Sequence, residues 1–86
     1  MARKKFENEF EVFPNPTSYL LVINLNDYLP ENMSYNMYNI HGEAVSKGRI
    51  YAGSNVLDLE NIDSGIYFLS ISEKGKMVYT SKGIKL

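Results

Sequence analysis

The residues able to do chemistry are few in this sequence, and their spacing assembles no catalytic set. His41 is the single histidine and cysteine is absent, so neither a Ser-His-acid triad nor a thiolate nucleophile has support beyond co-occurrence. Beside Gly42, His41 reads as a solvent-exposed turn residue rather than a proton shuttle or metal ligand. No Gly-rich phosphate loop, His-x-x-x-His pair or Asp-rich calcium loop occurs. Asp58, Glu60 and Asp63 are close enough in sequence to suggest a hard-cation site. Around a loop such acids more commonly serve solvation and turn geometry, and that is the reading adopted. The expectation is therefore a chain with no enzymatic activity, cofactor, metal or small-molecule substrate. What remains is the end, Lys82-Gly83-Ile84-Lys85-Leu86, where cations alternate with apolar side chains in a way suited to contact with a partner.

Composition says what must position those residues. Eighty-six residues make one domain. With 44% hydrophobic residues the chain has the makings of a packed core. Nine Lys and Arg against ten Asp and Glu leave a formal charge of -1, a balance that argues against nucleic acid or anionic lipid as a partner. No apolar run approaches the ~20 residues of a membrane helix, and none carries the charged start and cleavage site of a signal peptide. Export would then require a longer precursor that supplies one, and Met1 would not be native to it.

Along the chain, residues 1–9 are charged and without period, as in a flexible lead-in or linker. Glu11-Val12-Phe13 is extended and is stopped by Pro14-Asn15-Pro16, whose two imino acids confine this piece to a sheet edge. Tyr19 to Leu25 is an apolar run whose first half looks buried on both faces. From Ser34, polar and apolar residues alternate with Tyr35 and Met37 inward, until Tyr38 and Ile40 break the phase and call for a bulge. His41-Gly42 signals a hairpin with Gly42 in the left-handed position. Glu43 to Ile50 reads as an outer strand, Gly53-Ser54-Asn55 turns the chain, and Leu57 and Leu59 point inward.

The corner Asp63-Ser64-Gly65 organises the rest. Asp bonds its own backbone two residues on, and Gly65 supplies a positive φ. Ile66 to Ile71 then reads as a central strand covered on both faces. Tyr67 fits a tyrosine corner, its hydroxyl bonding back to the preceding loop as in immunoglobulin-like sandwiches. Glu73-Lys74-Gly75-Lys76 closes a last hairpin, from which Met77 to Ser81 returns beside the central strand. About seven short strands, with a turn every ten residues or so and no helical period, predict an all-β, immunoglobulin-like antiparallel sandwich over residues 10–86. Its expected core is Leu21, Ile23, Tyr35, Met37, Leu57, Leu59, Ile62, Tyr67, Leu69 and Ile71.

The order of these motifs is more informative than any one of them. Phe13-Pro14-Asn15-Pro16, then Met37 to Val45, then Val56-Leu57-Asp58-Leu59 leading to Gly65-Ile66-Tyr67-Phe68-Leu69, and finally Lys82-Gly83-Ile84-Lys85-Leu86, resemble the type A C-terminal sorting domain of type IX secretion cargo in Bacteroidetes. The resemblance implies a domain at the end of a larger secreted protein whose cargo part is not in this chain. Such a domain addresses its cargo to an outer-membrane translocon and is usually removed by a sortase-like peptidase, often with attachment of the cargo to anionic lipopolysaccharide. It implies periplasmic transit followed by the cell surface or the medium. Pro14, Asn15, Pro16, Gly42, Gly65 and Tyr67 carry over as motif positions with a structural duty. Lys82, Gly83, Ile84, Lys85 and Leu86 continue or abut the last strand and are the expected recognition segment, pairing exposed charge with apolar side chains beyond the residues needed to complete the sheet. A carbohydrate-binding or adhesive accessory module is the alternative, and would line exposed aromatics along one face.

Overall fold

Short runs of alternating or β-branched residues between turn formers give seven strands in the computed structural model, which describes residues 10–13 and 19–86. The readings of residues 1–9 and of Pro14, Asn15 and Pro16 lie outside the described residues. The strands are β1 (Phe10–Phe13), β2 (Leu20–Leu25), β3 (Met33–Tyr38), β4 (Ala44–Ile50), β5 (Gly53–Asp58), β6 (Gly65–Glu73) and β7 (Lys76–Lys85). They form a three-stranded sheet in the order β1-β2-β5 and a four-stranded sheet in the order β4-β3-β6-β7. Every pairing is antiparallel, as predicted for a sandwich.

Turn chemistry sets the strand ends. Gly42, Gly53 and Gly75 all have φ between 82° and 84°, the left-handed region that other residues enter at a cost. Lys74 joins Gly75 there with φ 54°, so the two-residue turn between β6 and β7 has the mirror-image form whose twist suits a tight hairpin. The expected phase break near Tyr38 is a bulge, where the β3–β4 register shifts between Met37 and Tyr38.

The core lies between the sheets and consists of Leu21, Ile23, Leu25, Met33, Met37, Ile50, Leu57, Leu59, Leu69 and Ile71. Seven of the ten expected core residues are among these. The other three, Tyr35, Ile62 and Tyr67, are partly buried and pack against the cluster. Tyr35 keeps its hydroxyl at the margin, 3.0 Å from Ser46 Oγ, as a buried ring with a polar tip should.

Two expectations of double-sided burial fail. Ile66 and Phe68 on β6 are each 43% exposed, and Tyr19 and Leu20 at the start of the β2 run are exposed as well. The reason is topological: each sheet has one partner layer, so only one face of each strand is covered. Inward Tyr67, Leu69 and Ile71 alternate with outward Ile66, Phe68 and Ser70, in the period of two that a half-covered sheet imposes.

Candidate functional site

The corner that positions the terminal strands is built locally. Asp58 Oδ1 accepts the Glu60 amide at 2.9 Å, and the Ile62 amide donates to the Leu59 carbonyl at 3.1 Å. The chain then opens into β6 through Gly65, at φ 148°. Two residues on, the Tyr67 hydroxyl donates to the Asp63 carbonyl, which is the tyrosine corner the sequence suggested. Burial pushes the Tyr67 phenol above its ordinary value, and the Asp63 carboxylate pushes it the same way. Of the three grouped acids, Asp58 thus spends its side chain on turn geometry, and Asp63 contributes its main chain.

β6 fixes the register of β7. Tyr67 stands opposite Gly83, Phe68 opposite Lys82, Ile66 opposite Ile84, and Gly65 opposite Lys85. The end of the chain continues the strand, as one expectation had it, and this corrects the other, that the sheet is complete without these residues: β7 runs through Lys85, and the tail is a ladder strand. Glycine and charge at Lys82-Gly83 are both poor strand signals. Cross-strand pairing with β6 overrides that weak local preference.

Alternation then divides the expected recognition segment between two faces. Lys82 and Ile84 point outward, Ile84 being 47% exposed, whereas Gly83 and Lys85 point inward. Lys85 is buried, with 9% of its surface exposed, and its ammonium donates to the Leu86 main-chain oxygen at 3.4 Å. Its stem therefore belongs to the packing at the end of the sandwich, against the expectation that it is an exposed charge. Leu86 follows the strand and is exposed.

The outward face brings in Ile66 and Phe68, which the sequence reading expected to be covered. Ile66 pairs with Ile84, and Phe68 lies between Lys82 on one side and Tyr38 on the other. A shallow depression on this face is lined by Tyr38, Phe68, Ser70, Met77, Thr80 and Lys82. Their parity relative to Tyr67 would have shown that Ile66 and Phe68 cannot share its face. On the inner side, the small β7 residues Ser81 and Gly83 border a partly open apolar cavity of about 130 Å³, floored by Leu21, Met37, Leu59 and Leu69.

Gly42 and His41 lie in the β3–β4 turn, which follows Tyr38 in the chain. His41 is exposed, and its amide donates to Asn39 Oδ1 at 2.9 Å. Asn39 orders the turn: the same oxygen accepts the Glu43 amide at 3.0 Å. The Gly42 amide donates to the Asn39 carbonyl, also at 3.0 Å.

Comparison with known proteins agrees with this architecture. A crystal structure of a DUF3244 family protein with an immunoglobulin-like β-sandwich fold, from Bacteroides vulgatus, is similar with a TM-score of 0.67. The two share 19% sequence identity over 88% of this chain and 81% of that one, which speaks to the fold alone. No curated protein matches the chain. Residues 11–85 match the family described as the secretion system C-terminal sorting domain. With nearly every residue of the sandwich inside that match, the chain belongs to the type IX secretion C-terminal sorting domains.

Proposed function

We propose that this domain routes a cargo protein fused ahead of it through the type IX translocon and across the outer membrane. The cargo reaches the periplasm on a signal peptide carried by the precursor. A sortase-like peptidase then removes the domain as the cargo is attached to the cell surface or released. The address is the closing segment Lys82 to Leu86, displayed by β7. The observation that carries this reading is the outward placement of Lys82 and Ile84 on a strand otherwise committed to the sheet. A cation and a branched apolar side chain at alternate positions are what a partner surface can read. The accessory-module reading asked for exposed rings lined along one face. Tyr19 and Tyr51, the most exposed rings among the described residues, adjoin opposite ends of the β2–β5 ladder, so that reading is not adopted.

The test is a transplant. Residues 10–86 are fused behind a periplasm-targeted reporter in a bacterium with a working type IX system, and the reporter is measured in periplasm, surface and medium. Secretion that requires both the domain and the translocon is the expected result. Retention of the parent fusion in the periplasm overturns the reading. A fusion with Lys82→Ala and Ile84→Ser locates the address, because both outward positions change while the ladder is kept.

A further inference from the structure

The outer face of the four-stranded sheet has a charge pattern that the overall balance conceals. Its outward positions are Ala44, Lys47 and Arg49 on β4, Ser34, Asn36 and Tyr38 on β3, Ile66, Phe68, Ser70 and Ser72 on β6, and Met77, Thr80, Lys82 and Ile84 on β7. Three of these are cations and none is an acid, although the chain has more acids than bases. The one carboxylate in the four strands, Glu73, is turned away: it accepts the Tyr28 hydroxyl and, at 2.7 Å, the Glu31 amide. From residue 50 to residue 73 the sequence holds Asp58, Glu60, Asp63 and Glu73 with no Lys or Arg. The acids of this stretch thus fall at the end of β5, in the β5–β6 corner and at the turned-away Glu73, and none stands at an outward position of this face.

The same face has an apolar end. Ile66, Phe68 and Ile84 are between 43% and 47% exposed, Tyr38 adjoins Phe68, and the depression beside them runs to Met77. Toward β4 the face becomes Ser34, Asn36, Ser70 and Ser72, small groups that admit close approach, before reaching Lys47 and Arg49.

We infer that this face docks an acidic protein surface bearing an apolar ridge: the ridge covers Ile66, Phe68 and Ile84, and carboxylates meet Lys82, Lys47 and Arg49. The inference rests on the sorting reading and names the chemistry of the partner that the address engages. Its occupant is a protein surface rather than a lipid leaflet for two reasons. Three cations fall short of the ~4–8 clustered Lys and Arg that recognise anionic lipid. The apolar side chains also stand in paired strands, where they match a complementary surface but cannot dip between headgroups as loop residues do. A second copy offering the same face would set cation against cation, which disfavours a symmetric pair.

The reporter fusion tests this with Phe68→Thr, with Lys47→Glu plus Arg49→Glu, with the charge-keeping Lys47→Arg plus Arg49→Lys, and with Val56→Thr on the other sheet. Thermal melts confirm folding of each purified variant. Phe68→Thr and the double reversal should each cut the secreted fraction about tenfold, as for loss of a central contact, while the other two match the parent. Parent-level secretion from both of the first two variants overturns the inference and leaves the sorting reading intact. Retention of the parent fusion itself overturns both. Two outcomes would reassign the face and overturn the protein-partner inference: purified domain that sediments with phosphatidylglycerol vesicles, or a dimer in sedimentation velocity that Phe68→Thr abolishes.

Discussion

The Tyr67 hydroxyl donates to the main-chain carbonyl of Asp63 at 2.5 Å, so the residue that follows Gly65 by two holds the loop that precedes it. The bond joins the start of β6 to the corner and thereby sets where β6 presents Ile66 and Phe68. Tyr67→Phe keeps the ring and removes the bond, and should cost about 1 kcal/mol, lowering Tm by about 4–8 °C. Burial and Asp63 raise the phenol's pKa in the folded state. Its contribution to stability is thus complete below the unfolded value near 10 and is lost as pH rises through the higher folded one. The Tyr67→Phe variant should lose that part of the alkaline destabilisation, which denaturant melts across this range will measure.

Gly65 has φ 148° with no atom crowding the place a Cβ would occupy, so the obstacle to substitution is the backbone conformation rather than space. Gly65→Val should cost about 1–3 kcal/mol. A variant that melts within a degree of the parent would show that the corner relaxes freely.

The corner was legible because its chemistry is local: Asp63, Ser64, Gly65 and Tyr67 act over a few residues, and no distant contact is needed to read them. The inward set from Leu21 to Ile71 was legible by period. Met33 and Ile50 were not, since each sits at a strand end next to loop residues, and only the ladder that pairs Met33 with Ile50 brings them under the core. Ile66 and Phe68 were misassigned for a related reason, because an apolar run states that burial is favourable without stating which face has a layer to bury against. Lys85 was misread in the opposite sense. Its charge suggested solvent, whereas the register opposite Gly65 sets its stem inside.

Asn39, rather than His41 or Gly42 alone, ties the β3–β4 turn together through its side-chain oxygen. Asn39→Ala leaves the His41 and Glu43 amides to water and should cost about 1 kcal/mol. His41→Ala should stay within about 0.5 kcal/mol of the parent. Denaturant midpoints of the two variants make the comparison directly.

Glu73 straps the β2–β3 loop to the last hairpin by accepting the Tyr28 hydroxyl and the Glu31 amide. Removing that carboxylate with Glu73→Ala should cost about 1–3 kcal/mol and speed hydrogen exchange at the Glu31 amide. The nearby Lys74–Glu31 pair, 2.6 Å apart and exposed, should matter far less to stability. Its hydrogen bond lowers the pKa of Glu31 and raises that of Lys74. Lys74→Ala should therefore return Glu31 toward its ordinary titration in an NMR pH series while Tm stays within about 2 °C.

The last prediction concerns how the address can be separated from the fold. Deleting residues 82–86 removes four ladder positions, those opposite Phe68, Tyr67, Ile66 and Gly65. It also takes away the buried stem of Lys85 and uncovers the apolar cavity that Gly83 and Lys85 border. The loss combines strand pairing with side-chain burial, so the truncated domain should melt at least ~10 °C below the parent or lose its cooperative transition. A secretion defect in that variant would report unfolding as much as a missing signal. Ile84→Ser removes an outward side chain that is already 47% exposed, and should cost about 1 kcal/mol or less. If the address is read from the outer face, Ile84→Ser should lower secretion of a fused reporter while its melt stays within about 8 °C of the parent. Measuring both quantities on both variants decides the matter: a truncation that melts like the parent would show that the end of β7 is dispensable to the fold. Unimpaired secretion from Ile84→Ser would instead move recognition away from that residue.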